Sequence, residues 1–393
     1  MSVRRLWLVD HHLRDRVGHH LGYNLAIADA ARAAGAEAVL VGHRDLDTRL
    51  VARHAAAASF RTDWRTAPPA WASHDQRLLR LVELWSAARF RADLKRWGSS
   101  AGAGDLIFAQ MIAPRHFHAW LNWFGEKTKP PRLALHLGYQ PHRFDTEDAR
   151  SALRKLSSEH RARLVLVTDS EKLQDPFTRA LASPVSYLPH IVSENFADAS
   201  AATLSGPLRI LAPGNARREK GFAEVWEAVK LLGDLRDSGR VEFCVQCHQP
   251  DHFSAGLLAG SRSARGLQLL NEALEEEEYF RQFVTADVVL IPYHLDHYAM
   301  RTSGVFCEAR VAGKPVIASR GSWAGDRVAH NGGGWLCEEK NAADLSGCIR
   351  AALADRESQA RRAAELQGEA RREFSAASFL QGLFELSDWG RRT

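Results

Sequence analysis

The sequence predicts an α/β protein made of two doubly wound, Rossmann-like domains that face each other across a cleft. Short apolar runs typical of buried strands alternate with helical patterns along most of the chain. The alternation stops once, at the polar and small-residue-rich stretch 193–207, and then restarts. A chain of 393 residues is also longer than one hydrophobic core usually serves. We therefore expect an amino-terminal domain over residues 1–192, a linker over 193–207 and a carboxyl-terminal domain over 208–375.

The first domain opens with a βαβ pattern. The apolar run RLWLVD is followed by a helical pattern over about residues 22–34 and by the run AEAVLVGH. Further strands are predicted at 105–110, 132–138, 163–170 and 185–190. Alternation of this kind favours a parallel sheet with helices on both faces.

The second domain repeats the pattern. Its predicted strands are LRILAPG, VEFCVQCH, ADVVLIPY and KPVIAS, and its predicted helices cover 221–232, 271–284, the segment after Gly304, and 341–375. Residues 376–393 predict one more helix, which we expect to cross back to the first domain.

The composition indicates a globular protein and excludes several classes. Apolar residues make up 45% and charged residues 25%, and no apolar run approaches the ~20 residues of a membrane-spanning helix. The amino-terminal apolar run is interrupted by Asp10 and His11, which favours a first strand over a signal peptide. Five cysteines without a framework spacing are typical of reduced thiols. We therefore expect a soluble, cytoplasmic protein.

The charge is uneven along the chain. The formal net charge is +5, and residues 1–200 carry roughly +7 of it against roughly −2 for the remainder. A basic half suits a polyanionic partner such as a phosphate-bearing substrate or an anionic membrane surface. Nucleic acid is not expected, because no nucleic-acid-binding signature accompanies the charge.

Two motifs could hold a metal or a haem. CVQCH, residues 244–248, matches a haem-attachment sequence, and Cys244, Cys247, His248 and His252 could form a zinc site. A buried strand with inert thiols is the interpretation we favour. HHLRDRVGHH, residues 11–20, could also bind a metal, but we favour a substrate- or phosphate-facing turn at Gly18 and His19. We therefore expect no metal and no cofactor.

Two loops that follow predicted strands suit a diphosphate. Lys220 stands just before Gly221, at the start of a predicted helix, and Arg301, Thr302, Ser303 and Gly304 precede the helix that carries Glu308. The carboxyl ends of parallel strands and the amino ends of helices favour anions, and arginine adds a planar, permanently charged donor group. Glu308 would then accept hydrogen bonds from a neighbouring ribose, although a purely structural buried glutamate is the alternative.

Three stretches of the second domain resemble a known family. ADVVLIPY, RTSGVFCEARVAGKPVIAS and NGGGWLCEEKNAADL resemble the carboxyl-terminal domain of retaining glycosyltransferases with the GT-B architecture, family four (glycosyl transferases group 1). The resemblance continues at residues 214–221, 168–173 and 186–190. It implies the GT-B architecture for the whole chain.

The resemblance also implies roles for individual residues. Lys220 would bind the donor diphosphate, with Asn215 at the position of its basic partner, and Glu308 would hold the ribose. The family's first motif glutamate, which contacts the donor sugar, falls on Met300. Arg301 would supply the phosphate-binding charge that is missing at Asn215. The donor sugar would be served by one of three neighbours: Asp296, His297 or Tyr298.

In the first domain, the resemblance assigns His136 a place near the reacting sugar. Gly18 corresponds to the family's acceptor loop, with His19 beside it. The implied reaction moves a sugar, with retention and without a metal, from a nucleotide diphosphate sugar to a hydroxyl of a glycan, a glycolipid or a small molecule. The departing phosphate would take the acceptor proton. The alternatives are a non-catalytic nucleotide-sugar-binding protein and an epimerase or phosphorylase on the same fold.

Residues 74–97 interleave basic side chains with Leu, Trp85, Phe90 and Trp97 at helical spacing. This pattern predicts either a helix that lies on the inner membrane face, close to a lipid-linked acceptor, or an outer helix packed on the first sheet with a solvated basic face.

Overall fold

The computed structural model describes residues 5–14, 19–61, 76–138, 140–194, 196 and 206–389. The chain forms two compact units. The first comprises Met1–Pro189 together with Ala376–Thr393, and the second comprises His190–Ser375.

The first unit contains a parallel sheet of seven strands among its described residues, in the order β3-β2-β1-β4-β5-β6-β7. The strands are β1 (Arg5–Val9), β2 (Glu37–His43), β3 (Ala56–Phe60), β4 (Leu106–Ala109), β5 (Arg132–His136), β6 (Leu164–Thr168) and β7 (Ser186–Tyr187). The central strands are almost wholly apolar and buried, because helices cover both faces of such a sheet.

Several helices of this unit begin at polar caps or at proline. The helices are α1 (His19–Ala33), α2 (Thr48–Arg53), α3 (Gln76–Trp97), α4 (Pro114–Gly125), α5 (Glu147–Arg154), α6 (Ser158–Ala162) and α7 (Gln174–Leu181). Thr146 caps α5 by accepting a hydrogen bond from the Ala149 amide, and Pro114 opens α4, where a missing amide proton costs nothing. Aromatic side chains from α3 and α4, among them Phe90 and Trp120, fill the core.

The second unit contains a parallel sheet of six strands in its described part, in the order β10-β9-β8-β11-β12-β13. The strands are β8 (Leu208–Ala212), β9 (Val241–Gln246), β10 (Leu267–Leu270), β11 (Val288–Ile291), β12 (Val316–Ser319) and β13 (Gly334–Cys337). The order reverses between β8 and β11, and the carboxyl ends of neighbouring strands at such a point leave a crevice for a ligand.

The helices of the second unit are α8 (Phe222–Leu231), α9 (Gly233–Asp237), α10 (His252–Leu258), α11 (Glu276–Thr285), α12 (Leu295–Tyr298), α13 (Gly304–Val311), α14 (Trp323–Asn331) and α15 (Ala342–Glu373). The last helix, α16 (Ala376–Ser387), belongs to the first unit, where Phe379 packs against Tyr23 of α1 and Phe108 of β4.

The prediction of two doubly wound α/β domains is confirmed. Strands β3, β10 and β13 were not predicted. The segment GWLC of β13 is only four residues long and begins at a glycine. The segment AAASF of β3 is dominated by alanine, and LQLL of β10 is short, so neither carries the β-branched pattern that indicates a strand. Of the helices that the structure describes, none is long and apolar enough to cross a membrane.

Gly221 brings the loops after β8 and β11 into close contact. Its φ of +68° lies in the left-handed region, and a Cβ atom at this position would lie 2.1 Å from the carbonyl oxygen of Pro292. Only glycine satisfies both the backbone conformation and this approach. The absence of a side chain at position 221 therefore allows the two loops that carry the candidate site to approach each other closely.

We expect Gly221→Ala to lower the free energy of unfolding of the second unit by at least about 2 kcal/mol, since it adds left-handed strain to a steric clash. Gly347→Ala is the matched control: no atom lies within 4 Å of its added Cβ, and α15 should gain ~1 kcal/mol from alanine. Urea denaturation of both variants measures the difference. Equal midpoints for Gly221→Ala and the wild type would contradict the close approach.

Candidate functional site

The predicted diphosphate-binding residues lie at the carboxyl edge of the second unit's sheet. A small pocket opens after β8 and β11, and its lining includes Gly214, Asn215, Lys220, Gln246 and Tyr293. Because β8 and β11 are neighbouring parallel strands, the loops that follow them share one edge.

The loop after β8 carries Lys220 back over its own backbone. Gly214 has a φ of +98°, and a Cβ atom there would lie 2.8 Å from Lys220 Nζ. The Gly214 amide donates a hydrogen bond of 2.6 Å to Gln246 Oε1, which fixes the start of the loop. Asn215 turns aside and donates to Gln249 Oε1 at 3.3 Å.

Lys220 is a poorly solvated cation. Burial lowers its pKa to about 8, and the charges of Arg217 and Arg301 act in the same direction, whereas Glu308 and Glu219 oppose them. At neutral pH the ammonium group is still mostly charged. Its Nζ lies 5.7 Å from the centre of the Tyr293 ring, within the range of a cation–π interaction. A bound anion would replace the favourable interactions with water that the Lys220 ammonium group loses on burial.

The loop after β11 ends at the start of α13. Ser303 caps this eight-residue helix by accepting a hydrogen bond of 3.2 Å from the Phe306 amide, and the side chains of Thr302 and Ser303 are buried. Arg301 is exposed, with its guanidinium carbon 5.6 Å from the centre of the Tyr298 ring. A Cβ atom at Gly304 would lie only 3.1 Å from His190 Nε2.

Glu308 lies one turn into α13 and is largely removed from water. Burial raises its pKa to about 7, while a hydrogen bond from Tyr279 and the charge of Lys220 pull the pKa down. The Tyr279 hydroxyl donates to Glu308 Oε2 at 2.8 Å. Glu308 and Lys220 therefore share one electrostatic environment, although 88 residues of sequence, from 220 to 308, separate them.

The three predicted sugar-binding candidates differ in their surroundings. Asp296 is exposed and pairs with Lys340 at 3.1 Å, His297 is exposed, and Tyr298 is buried against the Tyr293 ring. Met300, at the position of the family's first motif glutamate, is 38% exposed. The backbone of this loop is held by the Glu339 carboxylate, which accepts a hydrogen bond of 2.7 Å from the Leu295 amide.

His136 belongs to the first unit, where it is the last residue of β5. Its ring is buried and stacks on Phe108, and neither ring nitrogen has a hydrogen-bond partner among the described residues. Burial lowers its pKa, and the charge of Asp169 opposes that shift. Gly18 lies outside the described residues; His19 is the first residue of α1, but its side chain also lies outside them.

Sequence reasoning missed four residues of the second unit's site. Gln246, Tyr279, Tyr293 and His190 all contact residues that it did identify. Gln246 ends β9 and Tyr293 follows β11, so a search of strand ends could have found both. Tyr279 lies in the acidic run EEEEYF and His190 lies far upstream, so nothing in the sequence pattern links either one to α13.

The cysteine and histidine motifs do not form a metal site in the described part of the chain. Cys244 Sγ donates to Gln282 Oε1 at 3.2 Å, and Cys247 Sγ donates to the Val245 carbonyl at 3.5 Å. Burial raises the pKa of both thiols to about 11, which disfavours the thiolate that zinc requires. No group of three or more His, Cys, Asp or Glu side chains is arranged to hold a metal among these residues.

An Asp-x-Asp sequence is also committed to protein contacts. Asp45 pairs with Arg14 at 3.8 Å, and Asp47 caps α2 by accepting a hydrogen bond from the Arg49 amide. Among the described residues, no third His, Cys, Asp or Glu side chain completes a metal site with these two carboxylates.

Residues 196–367 match the family model of glycosyl transferases group 1. The match covers most of the second unit, which is therefore similar to a group 1 glycosyltransferase domain. The residues matched include every member of the pocket described above. No curated protein matches the chain in sequence.

Solved structures of low sequence identity share the fold of the whole chain. Anabaena HepE in complex with UDP is 14% identical, with a TM-score of 0.65 over 98% of this chain and 99% of that chain. A glycosyltransferase from Rickettsia africae is 14% identical, with a TM-score of 0.67 over 99% and 98% of the two chains. Sucrose-phosphate synthase from Thermosynechococcus elongatus is 15% identical, with a TM-score of 0.66 over 98% of both. The likeness shows the GT-B fold.

The raised pKa of Glu308 predicts how stability depends on pH. Between its usual value of 4.5 and about 7, the folded state holds a proton that the unfolded state has lost. The free energy of unfolding therefore falls as pH rises through this window, by up to ~1.4 kcal/mol per unit from this group. Glu308→Gln should remove this pH dependence, so that the free energy of unfolding of the variant increases relative to that of the wild type from pH 5 to pH 7.5.

Unfolding of the ligand-free protein at several pH values measures this difference. Glu357→Gln, an exposed glutamate on α15, is the control and should track the wild type throughout. Parallel curves for Glu308→Gln and the wild type would mean that Glu308 is hydrated and titrates normally.

Proposed function

We propose that the protein transfers a sugar from a nucleoside diphosphate sugar to a hydroxyl acceptor. The observation that carries the proposal is the grouping of Lys220, Arg301 and Glu308 at one edge of the sheet in a domain similar to those of group 1 glycosyltransferases. Two cations beside a helix amino terminus suit a diphosphate, and a nearby carboxylate suits the hydroxyls of a ribose.

Stabilisation of the leaving group is the main task that this site can perform. When the bond to the sugar breaks, negative charge develops on the diphosphate, and donors fixed in place beforehand stabilise it without reorganisation. Lys220 is held over Gly214, and Arg301 precedes the capped start of α13. We propose that these groups act without a metal and that the sugar keeps its anomeric configuration.

The ligands of two structural relatives suggest the first ligands to test. Anabaena HepE was solved in complex with UDP-glucose, at 14% identity to this chain, and an Escherichia coli relative at 13% identity was bound with UDP-2-fluoro glucose. UDP and UDP-glucose are therefore our probes for the nucleotide and the donor.

Binding of UDP tests the proposal directly. Glu308→Gln should weaken UDP binding roughly 10- to 150-fold while the fold stays intact, because a charged acceptor of hydrogen bonds is worth ~1.5–3 kcal/mol. Titration calorimetry in the presence of EDTA measures this affinity and the need for a metal together. Glu357→Gln should bind like the wild type. Unchanged affinity in Glu308→Gln would remove the ribose role.

A non-catalytic nucleotide-sugar-binding protein is the second candidate. Met300 and Asn215 favour it, since neither offers the charge that the resemblance expects at these positions. Such a protein would bind UDP tightly without consuming UDP-glucose. An epimerase or a phosphorylase would consume the donor without joining its sugar to a hydroxyl acceptor, so product analysis distinguishes all three.

We expect Arg301→Ala to slow donor consumption about a hundredfold, because it removes a contact worth ~3 kcal/mol that strengthens as the diphosphate departs. The loss in Lys220→Ala/Arg301→Ala should be smaller than the sum of the single losses, since both cations act on one charge. Steady-state rates with UDP-glucose in EDTA give these values.

Arg320→Ala, which breaks an exposed pair with Glu338, is the control and should keep the wild-type rate. Wild-type turnover in Arg301→Ala, accompanied by a lower melting temperature, would make Arg301 a structural residue. Activity that requires Mg²⁺ or Mn²⁺ would overturn the metal-free assignment.

Helix α3 suggests where a lipid-linked acceptor could be met. Its carboxyl-terminal half is structural, with Phe90, Leu94 and Trp97 buried. Its other half exposes Leu81, Leu84 and Trp85, which are 62%, 60% and 52% exposed. The helix carries six basic and two acidic residues, and the Arg89 guanidinium lies 4.9 Å from the centre of the Trp85 ring. We propose that this half rests on an anionic membrane surface.

Sedimentation with vesicles tests this surface. At low salt the protein should pellet with phosphatidylglycerol vesicles and not with phosphatidylcholine vesicles, and Leu84→Ser/Trp85→Ser should lose most of the binding. Leu386→Ser, at an exposed leucine of α16 in the same unit, is the control. Equal partition onto both vesicle types, or none, would leave α3 a purely structural helix.

A further inference from the structure

Gln246 is a buried polar side chain that lines the pocket of the second unit's site. It is the last residue of β9, which pairs with β8, and it is only 8% exposed. Phe243 and Val245 of the same strand belong to the apolar core, and the alternation of a strand turns Gln246 to the opposite face of the sheet. Because a buried amide is rarely left without partners, each of its polar atoms needs an explanation.

The Gly214 amide fixes the orientation of the Gln246 side chain. Its N–H donates at 2.6 Å to Gln246, and since only the oxygen of a side-chain amide can accept, Oε1 faces Gly214. The NH2 group of Nε2 therefore lies on the other branch of the amide. In the part of the chain that the structure describes, no residue accepts a hydrogen bond from Nε2. Two N–H donors are thus available at the pocket.

Lys220 and Gln246 converge on the same glycine. Lys220 Nζ lies 2.8 Å from the position that a Cβ atom of Gly214 would take, and Gln246 Oε1 lies 2.6 Å from the Gly214 nitrogen. The ammonium group and the amide therefore border the same part of the pocket. Asn215 does not join them, because its Nδ2 donates to Gln249 Oε1 at 3.3 Å.

We propose that Gln246 binds the diphosphate of the donor, with Nε2 donating a hydrogen bond to a phosphate oxygen beside Lys220. The inference deepens the transferase function proposed above and rests on it. A neutral amide supplies a donor without a further cation in a pocket where the charges of Arg217 and Arg301 already lower the pKa of Lys220. Its hydrogen bond strengthens as negative charge develops on the departing diphosphate.

A purely structural Gln246 would only accept the hydrogen bond of the Gly214 amide. The structural role and the binding role use different atoms of one side chain. Oε1 holds the loop after β8, whereas Nε2 faces the ligand. Substitutions that keep one of these atoms and change the other can therefore separate the two roles.

Gln246→Met and Gln246→Glu make this separation. Methionine removes both the acceptor and the donor, so we expect UDP affinity to fall about 10- to 150-fold and the melting temperature to fall as well. Glutamate keeps an oxygen for the Gly214 amide but puts a negative charge in place of the donor. We expect Gln246→Glu to melt at a higher temperature than Gln246→Met and yet to bind UDP more weakly. Titration calorimetry and thermal unfolding give both values for each variant.

Gln249→Glu is the matched control. It adds the same charge on the loop after β9 and keeps an acceptor for Asn215, but its side chain is exposed. Its UDP affinity should stay within about twofold of the wild-type value, because water and salt screen an exposed charge. Uridine lacks the diphosphate, so it should bind to the wild type and to Gln246→Met with equal affinity.

Three results would overturn the inference and leave the transferase function standing. The first is wild-type UDP affinity in Gln246→Met. The second is a UDP affinity that follows the melting temperature, with Gln246→Glu the stronger binder of the two variants. The third is a Gln246→Met variant that loses as much affinity for uridine as for UDP. Wild-type protein that binds none of UDP, GDP and ADP would instead overturn the transferase proposal itself.

Discussion

The partial burial of two opposite charges, Lys220 and Glu308, is the constraint on which the second unit's site depends. Withdrawing charged groups from water costs free energy, and the perturbed pKa values of both residues express that cost. Nearby partners offset only part of this desolvation cost. Tyr279 donates a hydrogen bond to Glu308, and the Tyr293 ring lies beside the Lys220 ammonium group. Charged groups that are incompletely solvated in this way favour a ligand of complementary charge or hydrogen-bonding capacity.

Parallel sheets concentrate such groups because every strand delivers its last residues to the same edge. In the second unit the edge carries Gln246, Lys220 and the start of α13; in the first it carries Asp10, Gln110 and His136. Tight backbone features at Gly214 and Gly221 then decide how close these groups come. Chemistry at both edges follows from the same topology, with different side chains.

The sequence predicted the fold well where apolar runs were long and bounded by polar turns. It predicted Lys220, Arg301 and Glu308 as site residues because strand-to-helix loops favour anions. It could not show that Tyr279 reaches Glu308 or that Asp10 lies within hydrogen-bond distance of His20. The first contact joins separate helices, and the second joins a strand end to a helix across residues 15–18, which lie outside the described chain. Side-chain pairing of this kind depends on packing angles, which local patterns do not encode.

The hydrogen bond from Tyr279 to Glu308 has a consequence for how the site takes up its ligand. Near neutral pH the Glu308 carboxyl exists as a mixture of acid and anion. A ribose bound at Glu308 as proposed would donate its hydroxyl protons to the anion, so each nucleotide that binds would release a fraction of a proton on average. Binding is then coupled to the buffer: the heat of association varies with the ionisation enthalpy of the solution, and acidification weakens association even while it stabilises the empty fold.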